Sequence, residues 1–422
     1  MGKNNEAWEK LFEKYKILDK IKENGRFIIS ADQIKEFREP RLMTKFDHKI
    51  NLPTLFEENN LSILPISRGD YIISSFSAYH PFEELSEEIE KVSIPAYVQS
   101  LMPQFLVSES IALNCANACG ILNDFLEDEA LVPTVNGRMS SGELYFNIDS
   151  AVGKQHIFVN NSQIEIDAAY EGVHYLSLFE AKRDLADDFL IRQLYYPFRV
   201  WSRRVTKTVK PIFLIFSNGS FHLYQYRFED PNDYSSLKLI KQKNYTIATE
   251  INVADIANLL TVIPIVKESA ISFPQADRFS RVVNLMELLK EKELTKQEIT
   301  SKYSFDERQT NYYTDAGRYL EFIEKEHREG SIVFHLTMQG LHVMELGYRE
   351  RQIALATQIL KHKVFNETLR LHLQYGEMPE RKKIVQIMKE ANLYNVGSES
   401  TYDRRASTVI GWVNWILGII DS

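Results

Sequence analysis

The sequence predicts an α/β protein in which a mixed central sheet is flanked by helices and followed by a mainly helical C-terminal region. Between residues 109 and 228 the hydrophobic patterns follow the order helix, three strands, helix and two strands, which suits a sheet covered by helices. From Asp277 onward the spacing of apolar residues is helical. We therefore expect four regions, at residues 1–95, 96–270, 271–348 and 349–422.

Composition places the chain among globular proteins. Of its 422 residues 44% are hydrophobic and 26% are charged, and this length allows two or three domains. The start is charged and lacks the apolar segment of a signal peptide, and no apolar run is long enough to span a bilayer, so we expect a cytoplasmic protein without a membrane partner. The net charge of −8 argues mildly against non-specific binding to nucleic acid but leaves room for a local basic groove.

The first 95 residues predict an α+β region that is locally rich in basic side chains. We expect a helix over about the first 30 residues with a turn at Asn24–Gly25, then an N-cap at residues 30–32 and a helix that stops before Pro40. Leu61–Ile66 and Tyr71–Phe76 predict a hairpin. The basic side chains form either a solvated surface or a contact with a phosphate backbone. They are Arg38, Arg41, Lys45, His48 and Lys49.

Turn and cap signals divide the central region into elements. A buried helix is expected from Glu109 to Asp128, and Asn136–Gly137 predicts a turn before a half-buried strand. A further helix is expected from about Ala186 to Arg203, and Ser217–Asn218–Gly219 predicts a hairpin between two strands.

Two short strands in the middle of this region end in charged residues that strands usually avoid. They are Gln163–Ala169 and Leu176–Lys182, and if they pair, one sheet surface carries Asp167, Glu180 and Lys182 together. Such a cluster is costly unless it is used, and two carboxylates with a backbone carbonyl, here that of Ala181, are ligands that Mg²⁺ takes. An E-x-K sequence alone is often only a surface pair. The acid on the preceding strand and the acid-free basic stretch from Phe189 to Phe228 favour a site for phosphodiester chemistry.

These residues resemble a known catalytic motif. The segments QIEIDAAYEG and SLFEAKRD resemble the motif of the PD-(D/E)XK nuclease superfamily, and SESIALNCANACGILNDFLED, DDFLIRQLYYPFRVW and REPRLMTKFDH are similar to a family of bacterial type II restriction endonucleases. The likeness covers most of the chain. It implies a restriction-endonuclease-like fold, Mg²⁺-dependent cleavage of double-stranded DNA at a short specific sequence, and a cognate DNA methyltransferase that protects the host. Cutting both strands requires either a homodimer or sequential nicking.

The resemblance also assigns roles to residues. It makes Asp167 the first acid, Glu180 and Lys182 the E-x-K pair, and Glu109 the acid of the first core helix. The family's proline before the first acid is replaced here by isoleucine, as often happens. Lys182 would position the attacking water, or deprotonate it if burial lowers the pKa of the lysine. The roles of two residues stay open. Glu165 is either a second metal ligand or a solvated neighbour of Asp167. Gln193 either orients a phosphate or a water, or is a surface amide.

The C-terminal half predicts two winged-helix-like modules. The first has helices at Asp277–Glu291, near Thr295 and from Phe305, then a strand within Gly330–Leu336; the second repeats the helices at Leu355–Lys361, Lys382–Ala391 and Tyr402–Leu417. They are either DNA-binding modules or a helical scaffold. The candidate DNA contacts along the whole chain are Arg138, Ser140, Ser141, Arg199, Arg203, Arg204, Arg308, Gln309, Arg404 and Arg405.

Two other functions compete with restriction. One is a structure-specific repair or recombination nuclease built on the same core. The other is a winged-helix DNA-binding regulator that carries an inactive nuclease-like core, although a retired site would have no reason to keep carboxylates clustered beside Lys182.

Overall fold

The computed structural model describes residues 3–83, 89–95, 97–101, 108–247, 251–303, 305–328 and 330–420, without the side chain of residue 302. The chain divides into two compact units. The first consists of residues 1–95, 108–216 and 221–246. The second consists mainly of residues 247–422, together with 96–107 and 217–220.

Short helices and a small antiparallel sheet make up the N-terminal part of the first unit. The helices are α1 (Lys3–Tyr15), α2 (Ile17–Asn24), α3 (Ala31–Lys35), α4 (Pro40–Thr44) and α5 (Thr54–Glu58). The strands are β1 (Phe27–Ser30), β2 (Ser62–Pro65) and β3 (Asp70–Ser74), in the order β1–β3–β2. The predicted hairpin is confirmed, and so is the cap, since Ser30 and Gln33 form a capping box. The first helix is divided because Lys16 has a left-handed backbone with φ 51°.

A mixed sheet forms the centre of the first unit and confirms the predicted α/β architecture. The strands of this region are β4 (Tyr79–Pro81), β5 (Ile89–Val92), β6 (Val132–Ser140), β7 (Glu143–Ser150), β8 (Gly153–Asn160), β9 (Gln163–Glu171), β10 (Tyr175–Lys182), β11 (Asp188–Leu190), β12 (Thr208–Ser217), β13 (Ser220–Phe228) and β14 (Leu237–Ile247). The sheet has the order β5–β14–β13–β12–β10–β9–β6. Strand β10 lies parallel to β12 and antiparallel to β9, while β7 pairs with β8 and β4 with β11.

Helices cover this sheet and bring two of the predicted site residues to it. They are α6 (Glu109–Ala118), α7 (Ile121–Leu126) and α8 (Arg192–Trp201), and both α6 and α8 pack on β9 and β10. Below α8 lies a core that includes Leu178, Phe189 and Tyr195. The first residue of α6 and the second residue of α8 therefore lie near the same pair of strands.

Several expected boundaries are wrong, and each has a local cause. Asn136–Gly137 lies inside β6, where Gly137, with φ 89°, sits at a register irregularity against β9, so its conformational freedom serves a bulge instead of a hairpin turn. The helix expected from Ala186 begins at Arg192, because residues 188–190 pair with β4. The expected helix at 109–128 is interrupted at Gly120, which has φ 78°.

A buried carboxylate fixes the connection between β9 and β10. Asp128 accepts hydrogen bonds from the backbone N–H groups of Glu129, His174 and Tyr175 at 2.9–3.2 Å. Gly172 lies so close that a Cβ there would come within 2.3 Å of Asp128 Oδ2. The turn is therefore specified by side-chain contacts outside it, and it holds the two charged strands in one register.

The second unit is mainly helical and carries a small sheet. Its helices are α9 (Val253–Val262), α10 (Phe279–Glu291), α11 (Lys296–Lys302), α12 (Glu307–Tyr319), α13 (Met338–Glu345), α14 (Tyr348–Leu360), α15 (Lys363–Tyr375), α16 (Arg381–Glu390) and α17 (Glu399–Gly418). Its strands β15 (Leu294–Thr295), β16 (Ile323–Arg328) and β17 (Ser331–Leu336) pair in the order β15–β17–β16. Its core includes Phe279 and Phe365, whose rings both contact that of Trp412.

The second predicted winged module has helices but no wing. Residues 337–420 are all described and contain no strand. The segment between the expected helices forms α15 instead, since Val364, Phe365 and Leu369 bury one face of it. In the described residues no helix is long and apolar enough to cross a membrane.

We expect Asp128→Ala to destabilise the first unit by about 1–3 kcal/mol, because it leaves backbone donors of the β9–β10 connection without an acceptor. Glu129→Ala is the matched control, since this neighbouring side chain is exposed. Urea denaturation measures both variants. Equal stability of the two variants would contradict the role given to Asp128.

Candidate active site

The antiparallel register of β9 and β10 brings the predicted acids together. Phe179 is paired with Ala168, so the next positions along the two strands, Glu180 and Asp167, face each other. Asp167 Oδ2 accepts a hydrogen bond of 2.8 Å from the backbone N–H of Ala181. Asp167 is half-buried and Glu180 is only 8% exposed. The expected juxtaposition of the two carboxylates is therefore present.

Lys182 and Gln193 both bind Glu180. Lys182 Nζ lies 2.6 Å from Glu180 Oε1, and Gln193 Nε2 donates to the same oxygen at 2.7 Å. Gln193 Oε1 is buried and accepts no hydrogen bond within the described part of the chain. The position of Gln193 follows from the packing of α8 on β9 and β10. Gln193 is therefore half-buried beside Glu180 in the lining of the cleft.

Burial and neighbouring charges shift the pKa values of these three groups. Burial, assisted by Asp167, raises the pKa of Glu180 to about 7, although Lys182 opposes the shift. Burial also raises the pKa of Asp167, and Lys182 again opposes the shift. For Lys182, burial alone would lower the pKa, but the surrounding carboxylates, Glu180 first among them, raise it well above its ordinary value. Deprotonation of the attacking water by Lys182 required a lowered pKa, and the surrounding carboxylates oppose that condition, so a positioning role is favoured for this lysine.

An open cleft of about 830 Å³ lies over these strands. Its acidic lining residues are Asp32, Glu39, Asp47, Glu109, Glu165, Asp167 and Glu180. Its basic lining residues are Lys35, Arg41, Lys45, Arg68, Arg138, Lys182 and Arg192. The half-buried Glu109 has a raised pKa, mainly because of burial, and Lys182 partly offsets that rise. The acid predicted on the first core helix therefore reaches the same cleft.

The donor set fits a hard divalent cation such as Mg²⁺. Glu180 accepts its hydrogen bonds at Oε1, and Asp167 accepts its hydrogen bond at Oδ2. Within the described residues, Glu180 Oε2 and Asp167 Oδ1 accept none and are available to a metal ion. No group of three or more His, Cys, Asp or Glu side chains with metal-site spacing occurs among the residues described. A bound ion would therefore complete its shell with the Ala181 carbonyl, water and substrate oxygens, as Mg²⁺ commonly does.

Glu165, which the sequence left as either a metal ligand or a solvated neighbour, lies at the edge of the cleft. Its side chain is 56% exposed, and its Oε1 lies 3.1 Å from Arg138 Nε. A solvated partner of Arg138 is therefore favoured over a second metal ligand. Of the two serines predicted to contact DNA nearby, Ser140 donates to Asn161, whereas Ser141 is buried and donates to the carbonyl of Gly142.

The basic residues predicted on and after α8 lie away from the cleft. Arg199 is only 3% exposed and donates to the carbonyls of Tyr145 and Pro231, so it cannot contact DNA in this structure. Its role is instead to hold α8 to β7 and to the segment at Pro231. Arg203 donates to the carbonyl of Glu143, and Arg204 stacks over Trp201. Neither of these two arginines lines the cleft.

In the second unit the predicted base-reading residues differ in availability. Arg308 and Arg404 are exposed, and Arg405 is half-buried. Gln309 is half-buried and forms a capping box with Asp306 at the start of α12. The side chain of Gln309 therefore caps the start of α12. The Asp-x-x-Gln spacing from Asp306 could have indicated this role from the sequence.

Sequence reasoning missed a charged contact between the N-terminal region and the end of β10. His48 is 3% exposed; its Nδ1 lies 2.6 Å from the carbonyl oxygen of Asp188, and its Nε2 lies 3.0 Å from Asp184 Oδ2. The backbone N–H of Leu190 donates to the carbonyl of Asp47 at 3.1 Å. These contacts hold the segment that connects Lys182 to α8. These contacts become visible only when His48 is known to be buried, and no local sequence pattern predicts that burial.

The environment of His48 favours its charged form. Burial alone would lower the pKa of His48, but hydrogen bonds to Asp184 and Asp188 outweigh burial and raise the pKa to about 10. Correspondingly, burial would raise the pKa of Asp184, but His48 lowers it. The contact is thus an ion pair at neutral pH.

The candidate site lies in a part of the chain that matches a domain family of unknown function. The chain matches three models, each described as a domain of unknown function: DUF6996 at residues 5–73, DUF6997 at residues 74–246 and DUF7226 at residues 281–421. Asp167, Glu180, Lys182 and Gln193 fall within the second of these. No curated protein and no solved structure matches the chain.

The stability that His48 contributes should depend on pH in a defined direction. Because its pKa rises from 6.5 to about 10 on folding, the contribution is complete below pH 6.5 and is lost as the pH rises toward 10. We expect His48→Gln to lose this slope in the free energy of unfolding, measured by urea denaturation across that range. His156→Gln, at an exposed histidine, should keep the slope. A His48→Gln variant with the wild-type slope would contradict the ion pair.

Proposed function

We propose that this protein is a Mg²⁺-dependent endonuclease of the type II restriction kind, which hydrolyses phosphodiester bonds of double-stranded DNA at a short specific sequence. One observation carries the proposal. Asp167 and Glu180 face each other on adjacent strands, with Lys182 bound to Glu180, in a cleft that both acidic and basic side chains line. Metal-dependent phosphodiester hydrolysis uses carboxylates to hold the ion and cationic groups to stabilise charge on the phosphate.

Each residue of the site has a distinct role in this proposal. Asp167, Glu180 and the carbonyl of Ala181 would hold Mg²⁺, and Glu109 would add negative charge to the cleft. When bound, the ion would lower the pKa of a bound water and offset charge on the phosphate. Lys182, as a cation, would donate hydrogen bonds that hold the attacking water or a phosphate oxygen.

The amide of Gln193 would assist Lys182. Its nitrogen is occupied by Glu180 at 2.7 Å, whereas its buried oxygen accepts no hydrogen bond from any residue described here. That oxygen would orient a water by accepting one of its protons. We assign Gln193 a positioning role for this reason.

Sequence reading would fall to the second unit. The order α10, β15, α11, α12, β16 and β17, with β15–β17–β16 pairing, supports a winged-helix module in residues 271–348. Arg308 is exposed near the start of α12, the helix that would enter the major groove. Restriction would further require a cognate methyltransferase, and a homodimer would allow both strands to be cut.

Substitutions that keep side-chain size test the proposed roles. We expect Asp167→Asn and Lys182→Met to lower the rate of Mg²⁺-dependent plasmid cleavage about a hundredfold or more, because each removes a charge that would stabilise the transition state. Glu165→Gln is the matched control and should keep most activity, since Glu165 pairs with Arg138 at the cleft edge.

Binding to a DNA duplex without divalent metal is measured alongside cleavage and should be largely retained in all three variants. Full cleavage by Asp167→Asn or Lys182→Met would overturn the assignment. Loss of binding together with loss of the folded state, followed by thermal unfolding, would indicate that these residues are structural instead.

A further inference from the structure

We propose that the N-terminal region supplies a second substrate-binding surface, the basic wall formed by Lys35, Arg41 and Arg68, which binds phosphates of a DNA strand next to the phosphate that is cut. The inference rests on the proposed nuclease function and specifies where the backbone of its substrate would lie. Neither the motif in β9 and β10 nor any family match assigns this role to the N-terminal region.

The three residues reach the cleft from three separate elements. Lys35 ends α3, Arg41 lies at the start of α4, and Arg68 lies in the turn between β2 and β3. All three line the same cleft as Asp167 and Glu180, although more than a hundred residues of sequence separate Arg68 from Glu180. A strand whose phosphate lay at the carboxylates would therefore have the basic wall beside it.

The side chains of the basic wall are available for a ligand. Lys35, Arg41 and Arg68 are exposed, and none of them forms an ion pair with any residue that the structure describes. By contrast, Lys45 on the same side of the cleft lies 3.5 Å from Asp47. Cations without a carboxylate partner are the groups that DNA phosphates bind while counterions are released.

The turn that carries Arg68 is held in place before any ligand binds. Ser67 Oγ accepts hydrogen bonds from the backbone N–H groups of Gly69 and Asp70 at 3.1 and 2.9 Å, and it donates to Asp70 Oδ2 at 2.7 Å. Less conformational entropy is therefore lost when Arg68 binds a phosphate.

Acidic residues on the same wall help to choose the ligand. Asp32 and Glu39 also line it, so its positive charge is distributed in single groups instead of one dense patch. Interspersed carboxylates disfavour a small, highly charged anion more than a polymer whose charges are spread along its length. The carboxylates of Asp167 and Glu180 would further disfavour a free anion in the cleft without a metal ion.

The contact at His48 keeps the basic wall and the catalytic strands together. His48 follows α4 by a few residues and binds Asp184, two residues beyond Lys182, at 3.0 Å. Tyr79 adds a hydrogen bond of 2.8 Å from its hydroxyl to the carbonyl of Phe46. Both sides of the cleft thus belong to one packed unit, and the wall is in a fixed position relative to the site.

The salt dependence of DNA binding tests the proposal. The full-length protein is titrated with a mixed-sequence DNA duplex without divalent metal, over a range of salt concentrations. We expect Lys35→Ala, Arg41→Ala and Arg68→Ala each to weaken binding and to reduce the slope of log K against log salt by about 1, and the triple variant by about 3. Lys22→Ala, at an exposed lysine of α2 outside the cleft, should change neither quantity.

Each outcome decides the proposal. Unchanged slopes in the wall variants, equal weakening by Lys22→Ala, or no binding by the wild type would overturn it. Cleavage by the wild type together with normal binding by the wall variants would overturn the basic wall alone. A wall-dependent slope without any Mg²⁺-dependent cleavage would support the wall and overturn the nuclease.

Discussion

The ammonium group of Lys182 is the charge on which the candidate site depends. Lys182 lies 2.6 Å from Glu180, and the charges of Asp167, Glu109 and Asp47 also act on it. Carboxylates held this close repel one another, and burial disfavours their ionised forms. Lys182 offsets that repulsion, so the residue proposed to act on the substrate also makes the acidic cluster possible before any metal ion binds.

Two contacts outside the motif determine where this charge lies. Asp128 fixes the connection between β9 and β10 by accepting backbone hydrogen bonds, and that register sets Asp167 against Glu180. His48 holds the segment after Lys182 from the other side. The geometry of the site is therefore set by the N-terminal region and the segment after α7 as well as by the sheet, although the proposed chemistry resides mainly in two strands.

Local patterns predicted the part of the site that lies in consecutive strands. Period-2 alternation predicted that Asp167 and Glu180 share one sheet surface if their strands pair, since alternate residues of a strand face the same side. The capping box at Ser30 was equally local. The turn predicted at Asn136–Gly137 was wrong because the backbone freedom of glycine suits a turn and a β-bulge equally well. Pairing with β9 determines which of the two forms.

Features that depend on distant partners could not be predicted. Arg199 resembles a solvent-facing arginine of an amphipathic helix, but the carbonyls of Tyr145 and Pro231 satisfy it in the interior. The side of the cleft formed by Lys35, Arg41 and Arg68 comes from elements whose meeting with β9 and β10 is set by tertiary packing. The sequence showed basic side chains in this region, but not that some of them line the same cleft as the carboxylates.

Sequencing of DNA fragment ends tests the central claim most directly. The purified full-length protein is incubated with phage or plasmid DNA and Mg²⁺, and the ends of the products are sequenced. The account predicts discrete fragments whose ends share one short sequence, and no cleavage when the metal is chelated. Intact DNA under all divalent metals tried would contradict the nuclease assignment, and fragments with unrelated ends would contradict sequence-specific restriction.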